Sequence, residues 1–526
     1  MERVLTSDQT KAIEQRVVAE GVASLDTLMR RAGEAIAAEV VAHVADGDIA
    51  VACGPGNNGG DGWVAAHLLL QAGRRVRVVA MRDPARLPEP AASAAKAALA
   101  AGVEVVVEPE GSLTEGAFTG AACVVDALLG TGSSLPLRDP FPLWCRSINR
   151  SGAYVVSADI PTGVETDTGA TSDDAIRADL TVALLAFKRG HVIYPAADAC
   201  GDVVLDTLAV PDALREVEGA PEVWDEGEYS SLLVAPPSDA HKNSRGRVLV
   251  VAGSGRYPGA AVLAARGAMR AGAGYVTLAV PEPIVGVAQC HLTAAPVIGL
   301  PSSRTKALSS GAGTVVIDLA RDFDAVVLGP GLTLADGAVA AVRAIVARIS
   351  GPLVIDADAL NALVDAEEFI TRRTDPTLLS PHPGELARLL DTTVSSVQSD
   401  RVSSSARLAG PGRAVVLKGA GTVVHGEGRW VINTSGTPAL ATAGTGDVLA
   451  GMLGALLARG MSPLEAGALG AYLHGLAGEA AAAELTPLGV TAEDLPGYVP
   501  VAMRRVMYRD AARGADANED GARWQM

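Results

Sequence analysis

Short runs of β-branched residues alternate along this chain with longer Ala-rich stretches. Positions 48–53 read as a strand, 60–72 as a helix and 74–80 as a strand. A helix near 91–101, a strand at 103–107 and strands ending near Asp126 and Asp159 follow. Strand–helix–strand order of this kind predicts a parallel sheet with helices on both faces. In such sheets ligands sit beyond the carboxyl ends of the strands. The alternation weakens between Val210 and Ser238, where 216–228 is acidic and Val234-Ala235-Pro236-Pro237-Ser238 is a stiff break. It then restarts with strands at 247–252, 275–280, 324–328, 353–357 and 414–418. Two α/β domains are expected, over 1–225 and 226–508. The polar segment 509–526 reads as a disordered tail.

Composition narrows the function. Of 526 residues 49% are apolar and 20% charged, enough for packed cores. Lys and Arg number 43 against 60 Asp and Glu, a net charge of −17. A chain this acidic is a poor general nucleic-acid binder, because phosphate binding needs clustered positive charge. Aromatics are only 3%, too few for base-stacking platforms. Glu2, Arg3 and Asp8 stand where a secretion signal needs an apolar core. The most apolar stretches are broken by Asp or Arg, so no membrane span is expected. Cys53, Cys123, Cys145, Cys200 and Cys290 have neither metal-ligand nor disulfide-framework spacing, which fits a reducing cytoplasm.

The chemistry is carried by glycine loops at strand ends. Gly54-Pro55-Gly56-Asn57-Asn58-Gly59-Gly60-Asp61-Gly62 formally matches a dinucleotide loop, G-x-G-x-x-G. Two details oppose that reading. Asp61 at the start of the next helix would repel a phosphate. The first acid past the following strand, Asp83, also comes later than the spacing of about 20 such loops use. Two Asn and a carboxylate suit a cation, or sugar and amide groups. Val125-Asp126-Ala127-Leu128-Leu129-Gly130-Thr131-Gly132 and Asp159-Ile160-Pro161-Thr162-Gly163 end two further strands with an acid. Oxygens of Asn58, Asp126 and Thr162 suit a weakly hydrated monovalent or other hard cation, leaving Asp159 for proton transfer. Each Asp alone could equally be a helix cap.

In the second half no G-x-x-x-x-G-K-[ST] sequence occurs. The sharpest element is Ala443-Gly444-Thr445-Gly446-Asp447, opening an Ala/Leu helix over 448–459. Glycine amides at a helix start make a pocket for developing negative charge, and Asp447 can take a proton beside it. A dipole-favoured N-terminal Asp is the plain alternative. Neighbouring loops add Lys418-Gly419-Ala420-Gly421-Thr422, the rigid Ser380-Pro381-His382-Pro383-Gly384-Glu385, Asp356-Ala357-Asp358, and Gly329-Pro330-Gly331. Lone histidines on helices, such as His43, His67 and His474, read as packing or surface residues.

Together these motifs resemble two families joined in one chain. Arg30–Gly33, Gly56–Gly62, Val125–Gly132 and Asp159–Gly163 look like the NAD(P)H-hydrate epimerase family over roughly 1–220. His241-Lys242-Asn243, Arg270–Val276, Gly329–Gly331, Pro381–Glu385, Lys418–Thr422 and Gly444–Asp447 look like the ADP-dependent NAD(P)H-hydrate dehydratase family over roughly 235–505. The resemblance implies a Rossmann-like three-layer domain followed by a ribokinase-like three-layer domain. It implies substrates NADHX and NADPHX, reduced cofactors hydrated at the ring's C5–C6 double bond. The first half would interconvert their R and S epimers. The second would phosphorylate the S hydroxyl from ADP and expel phosphate.

By motif position, the resemblance puts K⁺ on Asn58, Asp126 and Thr162. It puts the epimerase's hydrate on Asn57, Asn58, Gly59, Gly60, Asp61, Gly130, Thr131, Gly132, Ser133, Ser134, Leu135, Pro136 and Asp159. In the dehydratase it puts the hydrate on Ala273, Gly331, His382 and Asp447. The adenine nucleotide falls on Lys418, Gly419, Ala420, Gly421, Thr422 and Gly446, with Mg²⁺ bridging the phosphates. Asp159 and Asp447 would be catalytic, and the protein a homo-oligomer. The chain departs from the pattern in two places: Thr162 replaces the more usual Ser, and no glycine follows Gly132. Lys188 reads either as a phosphate anchor or proton-transfer aid, or as a surface charge. Two alternatives stay open: an ordinary ribokinase-like small-molecule kinase for the second half, and a non-catalytic nucleotide-binding module for the first.

Overall fold

A computed structural model describes residues 1–108 and 112–508, and the backbone of Arg523–Trp524. The chain divides into two compact units, one over Glu2–Ala220 and a second beginning at Pro221. Of the segment read as a tail, all but Arg523–Trp524 lies outside the described residues. That pair runs antiparallel to Asp202–Asp206. Among the described residues no helix is long and apolar enough to cross a membrane. All five cysteines are unpaired, four buried and Cys290 exposed.

The first unit is a parallel sheet in the order Asp202–Asp206, Leu180–Leu184, Tyr154–Ala158, Cys123–Ala127, Ile49–Cys53, Val76–Ala80, Glu104–Val107. The four central strands are buried on both faces, hence their Val- and Ala-rich runs, broken only by the buried polar side chains Asp126, Ser157 and Thr181. Helices Leu25–His43, Asn57–Gln71 and Ala91–Ala100 cover one face; Phe141–Asn149 lies in the core of the other. Strand order reverses at Ile49–Cys53, which puts a ligand crevice between the ends of that strand and Cys123–Ala127. The expected strand at 103–107 forms as Glu104–Val107. The helix expected from 60 starts at Asn57, because the two Asn enter its first turn.

The second unit repeats the plan. Seven parallel strands run in the order Val297–Leu300, Tyr275–Pro281, Arg247–Val251, Ala325–Leu328, Leu353–Ile355, Thr377–Leu379, Arg413–Leu417. An antiparallel pair, Val423–Gly426 and Arg429–Ile432, extends them. Pro258–Arg270, Thr445–Ala458, Pro463–Leu485 and Leu495–Met507 pack on one face, and Ala312–Ala320, Asp336–Arg348 and Pro383–Leu389 on the other. Both units are three-layer α/β structures, Rossmann-like and ribokinase-like.

Helix Thr445–Ala458 is fixed by unusually close packing. A Cβ on Gly451 would lie 1.9 Å from the Ala264 carbonyl oxygen, and one on Gly267 2.2 Å from that of Val448. The two backbones therefore touch, and only glycine fits. Gly451→Ala is expected to lower stability by about 1–3 kcal/mol through forced separation of the helices. Thermal unfolding checks it.

Candidate active sites

In the first unit three strand ends converge. Asp126 is fully buried. Its Oδ1 accepts from the Leu128 N–H (3.2 Å) and the Thr162 hydroxyl (2.8 Å), and its Oδ2 from the Ser157 hydroxyl (3.0 Å) and the Thr162 N–H (2.9 Å). Burial raises its pKa, and these bonds oppose the rise. The Leu129 N–H donates to Thr162 Oγ1 (3.1 Å). The next turn faces Asn58, whose Oδ1 would lie 3.4 Å from a Cβ on Gly130. Asn58 Nδ2 is buried with no hydrogen-bond partner. Asn58, Asp126 and Thr162 thus stand around one turn, as the spacing suggested.

Asp159 leaves its strand with φ +67°, a left-handed conformation costly for most side chains. A network holds it there. Its carbonyl accepts from His191 Nε2 (2.6 Å), and its carboxylate from the Leu184 N–H (3.2 Å) and the Lys188 ammonium. The Lys188 N–H donates to His191 Nδ1 (3.0 Å), so the His191 proton sits on Nε2. Burial, and then Lys188, lower the His191 pKa to about 4, so the ring stays neutral. Lys188 is wholly buried, which removes the surface-charge reading.

Two more acids face this pair across a cavity of about 450 Å³. Burial, and then the Asp159 charge, push Glu14 upward and Asp61 far upward. Lys188 opposes both rises. The cavity is also lined by Asn57, Asn58 and Gly130–Gly132, with Leu28 and Met29 as an apolar wall. Gly59 and Gly60 are buried beneath it against Gly54 and Met29. Ser133, Ser134, Leu135 and Pro136 are not among its lining residues; Ser133 is buried in the turn closed by its N–H on Gly130 O. Glu14 was missed from sequence. It lies in helix Ser7–Ala19 beside the buried stripe Thr10, Ile13, Val17, and an acid bordering such a stripe is the signal that could have found it.

In the second unit the polar cluster follows the ends of four strands. Lys418 Nζ lies 2.7 Å from Asp356 Oδ1 and 3.9 Å from Glu385 Oε2, and 3.5 Å from where a Gly446 Cβ would stand. Ser380 also donates to Asp356 Oδ1 (2.9 Å). Gly444 adopts φ +97°, turning the chain into helix Thr445–Ala458 and placing Asp447 in its first turn. Burial, and then the Asp356 charge, raise the Asp447 pKa to about 7, with Lys418 opposing. His382 caps Pro383–Leu389, its Nδ1 accepting from the Gly384 N–H (3.0 Å) and its Nε2 3.4 Å from Glu385 Oε1. Burial, and then Lys418, lower its pKa.

The Lys418–Thr422 turn is tied down from both sides. The Lys418 N–H donates to the Pro381 carbonyl (2.9 Å), and the Thr422 hydroxyl to Gly419 O (2.8 Å). Beneath it Arg401 donates to Leu417 O (2.9 Å) and Lys418 O (3.2 Å). Gly331 follows its own strand end with φ +67°, against Tyr257 and Ala260. His474, read as a packing residue, is buried and contacts the Thr445 carbonyl (3.0 Å). Ala273 is the correction. It precedes its strand, where the Gly274 N–H meets Gly246 O (2.9 Å), while Gly331, His382 and Asp447 lie beyond strand ends. In a parallel sheet those are opposite edges, so the fold does not bring Ala273 to Asp447.

Each unit therefore carries carboxylates, an ion-paired lysine and glycine turns at the carboxyl edge of a parallel sheet: two α/β enzyme domains in one chain. Residues 25–190 match the family model described as YjeF-related protein N-terminus, and 248–500 the model described as NAD(P)H-hydrate dehydratase. The bifunctional NAD(P)H-hydrate repair enzyme of Thermofilum pendens is 38% identical over 91% of this chain and 92% of its own. That of Escherichia coli K12 is 36% identical over 90% and 88%. Among solved structures, the ADP/ATP-dependent NAD(P)H-hydrate dehydratase of Bacillus subtilis, co-crystallised with ATP/Mg²⁺, is 29% identical over 54% of this chain and 99% of its own, with a TM-score of 0.47. The chain belongs to the family of bifunctional NAD(P)H-hydrate repair enzymes. It is an enzyme with an epimerase half and a dehydratase half, acting on hydrated NADH and NADPH.

Proposed function

We propose that the second unit transfers the terminal phosphoryl group of ADP to the hydroxyl of the S hydrate, with Asp447 as base. The observation that carries this is a carboxyl poised near neutrality in the first turn of a glycine-started helix, beside Lys418. Asp447 takes the hydroxyl proton as that oxygen attacks phosphorus, and AMP leaves. The carbon–oxygen bond then breaks, phosphate departs, and loss of the C5 proton restores the C5–C6 double bond. Hydroxide leaves badly and phosphate well, which is what the phosphorylation gains. The Gly444–Gly446 amides and Lys418 face the phosphoryl group. Lys418–Thr422 and Gly446 contact the nucleotide, whose phosphates carry Mg²⁺; Gly331, His382 and Asp447 contact the hydrate.

In the first unit Asp159, ion-paired with Lys188, moves the proton of epimerisation, while Asp61 is held toward its neutral form opposite it. Environments that push neighbouring acids apart in this way separate base from acid. Asn57–Asp61 and Gly130–Gly132 hold the hydrate, with Ser133–Pro136 continuing that loop. Asn58, Asp126 and Thr162 fit K⁺: the amide oxygen of Asn58 beside the Gly130 turn, a single carboxylate and a hydroxyl suit a monovalent ion. These three residues would hold K⁺, which would supply positive charge beside the Asp126 carboxylate at the turn between the loops. Thr162→Val should raise the K⁺ half-saturation of epimerisation at least tenfold and leave dehydration unchanged, read by titrating K⁺ against each activity. The protein works as a cytoplasmic homo-oligomer.

The whole reading is tested by supplying mixed R and S hydrate with ADP and Mg²⁺, with and without K⁺. Complete return of the reduced-nicotinamide absorbance and stoichiometric release of free phosphate are expected. A phosphorylated product that accumulates would make the second unit a kinase.

A further inference from the structure

A second cavity, of about 280 Å³, lies in the second unit where the chain enters it, and no step above uses it. Its polar lining is dominated by two guanidinium groups. Arg245 donates to Gly272 O (3.3 Å) and Arg459 to Val234 O (3.1 Å). Both close on one point: a Cβ on Gly272 would stand 3.8 Å from Arg459 Nη1 and 3.9 Å from Arg245 Nη2. Both acceptors are backbone carbonyls, and no carboxylate among the described residues pairs with either guanidinium. Burial, and then Arg245, lower the Arg459 pKa, the mark of two like charges held together. Leu233, Pro236, Pro237, Met503 and Met507 supply the cavity's apolar lining, with Met503 Cε 4.0 Å from the same Gly272 Cβ position. Arg245 is exposed and Arg459 half-buried, and the fork of donors that two adjacent guanidiniums present to solvent matches a phosphate. The methionines can mould to a flat or irregular apolar body.

We propose that this cavity binds an organic phosphate monoester, its phosphate held by Arg245 and Arg459 and its apolar body on the Met503–Met507 wall. The ligand is smaller than the dinucleotide assigned to the 450 Å³ cavity of the first unit. Arg459 caps the end of helix Thr445–Ala458, whose first turn carries Asp447. At 1.5 Å per residue the two are about 18 Å apart, so this site and the nucleotide site do not overlap. The proposal stands independently of the chemistry assigned to Asp447.

The test titrates phenyl phosphate into the full-length protein saturated with ADP and Mg²⁺, by calorimetry. One site per chain is expected. Arg245→Met and Arg459→Met should each weaken it at least tenfold. Met503→Glu, which places a carboxylate against the guanidiniums without removing either, should abolish it. Thermal unfolding of each variant controls for folding. Phenol and inorganic phosphate, each offering half of the chemistry, should bind at least tenfold more weakly. Binding that survives all three variants, that inorganic phosphate matches, or that is absent throughout the millimolar range would overturn the assignment.

Discussion

Asp447→Asn should slow dehydration of the S hydrate by roughly 10³-fold while ADP still binds within a few-fold of the wild-type affinity. General-base catalysis contributes about 10²–10⁴-fold, and Asn keeps the shape of the side chain without its basicity. The pH profile gives a second, sharper reading. With a pKa of about 7, the wild-type carboxyl is ionised above neutrality, so the rate should rise with pH through 7 and flatten beyond it. The Asn variant should lose that limb. Stability should move the other way. The folded protein holds this proton up to about pH 7, while the unfolded chain releases it near the ordinary 3.8. The cost of the buried charge is therefore absent at low pH, grows as pH rises between those values, and is complete above 7. There it amounts to on the order of 2–4 kcal/mol. Asp447→Asn should accordingly unfold at a higher temperature than wild type at pH 8, and the gap should close towards pH 4. A variant that is slower but no more stable would mean that the charge is neutralised in the resting protein. Normal turnover would remove the base outright.

The parallel sheets and their carboxyl-edge loops were legible because period and glycine placement are local signals. Gly54–Gly62, Leu128–Gly132 and Gly444–Asp447 lie where strand order and helix starts put them. What was not legible is pairing across distance. Lys188 reaches Asp159 from 29 residues away, and Lys418 reaches Asp356 from 62. Each lysine pairs with a carboxylate of its site, yet neither sits in a pattern that names its partner. Glu14 enters from a helix that carries no glycine loop. Ala273 failed for a different reason: motif position says nothing about which edge of a sheet a residue occupies. The pairing of Arg245 with Arg459 was invisible, because only packing shows that the two guanidiniums meet and that no acid among the described residues reaches them.

Asp159→Asn should abolish epimerisation, by about 10³-fold or more, and leave dehydration of pure S hydrate at the wild-type rate. Asn is the informative replacement. Asp159 stands at φ +67°, a region that Asn tolerates better than other non-glycine residues, so the backbone and the His191 contact survive. Asp159→Ala should lose the activity as well, but with an added cost of about 1–2 kcal/mol for the strained backbone, seen as a lower unfolding temperature. Lys188→Met tests the same site from the other side. Without the ammonium, Asp159, Asp61 and Glu14 face one cavity whose lining keeps Arg82 as its cation, and the upward push on Asp61 and Glu14 loses the lysine that opposes it. Epimerisation should fall as far as in Asp159→Asn, although the carboxylate is still present. The readout is enzymatic epimerisation of R hydrate, followed through a separate wild-type dehydratase unit, set against the slow uncatalysed exchange of the two forms. If Asp159→Asn still converts R to S well above that background, Asp159 is not the base, and the cavity either uses Asp61 and Glu14 for the proton or only binds the hydrate. If Asp159→Asn fails while Lys188→Met keeps full activity, the carboxylate acts without its ion pair. In that case the wholly buried lysine serves the fold alone.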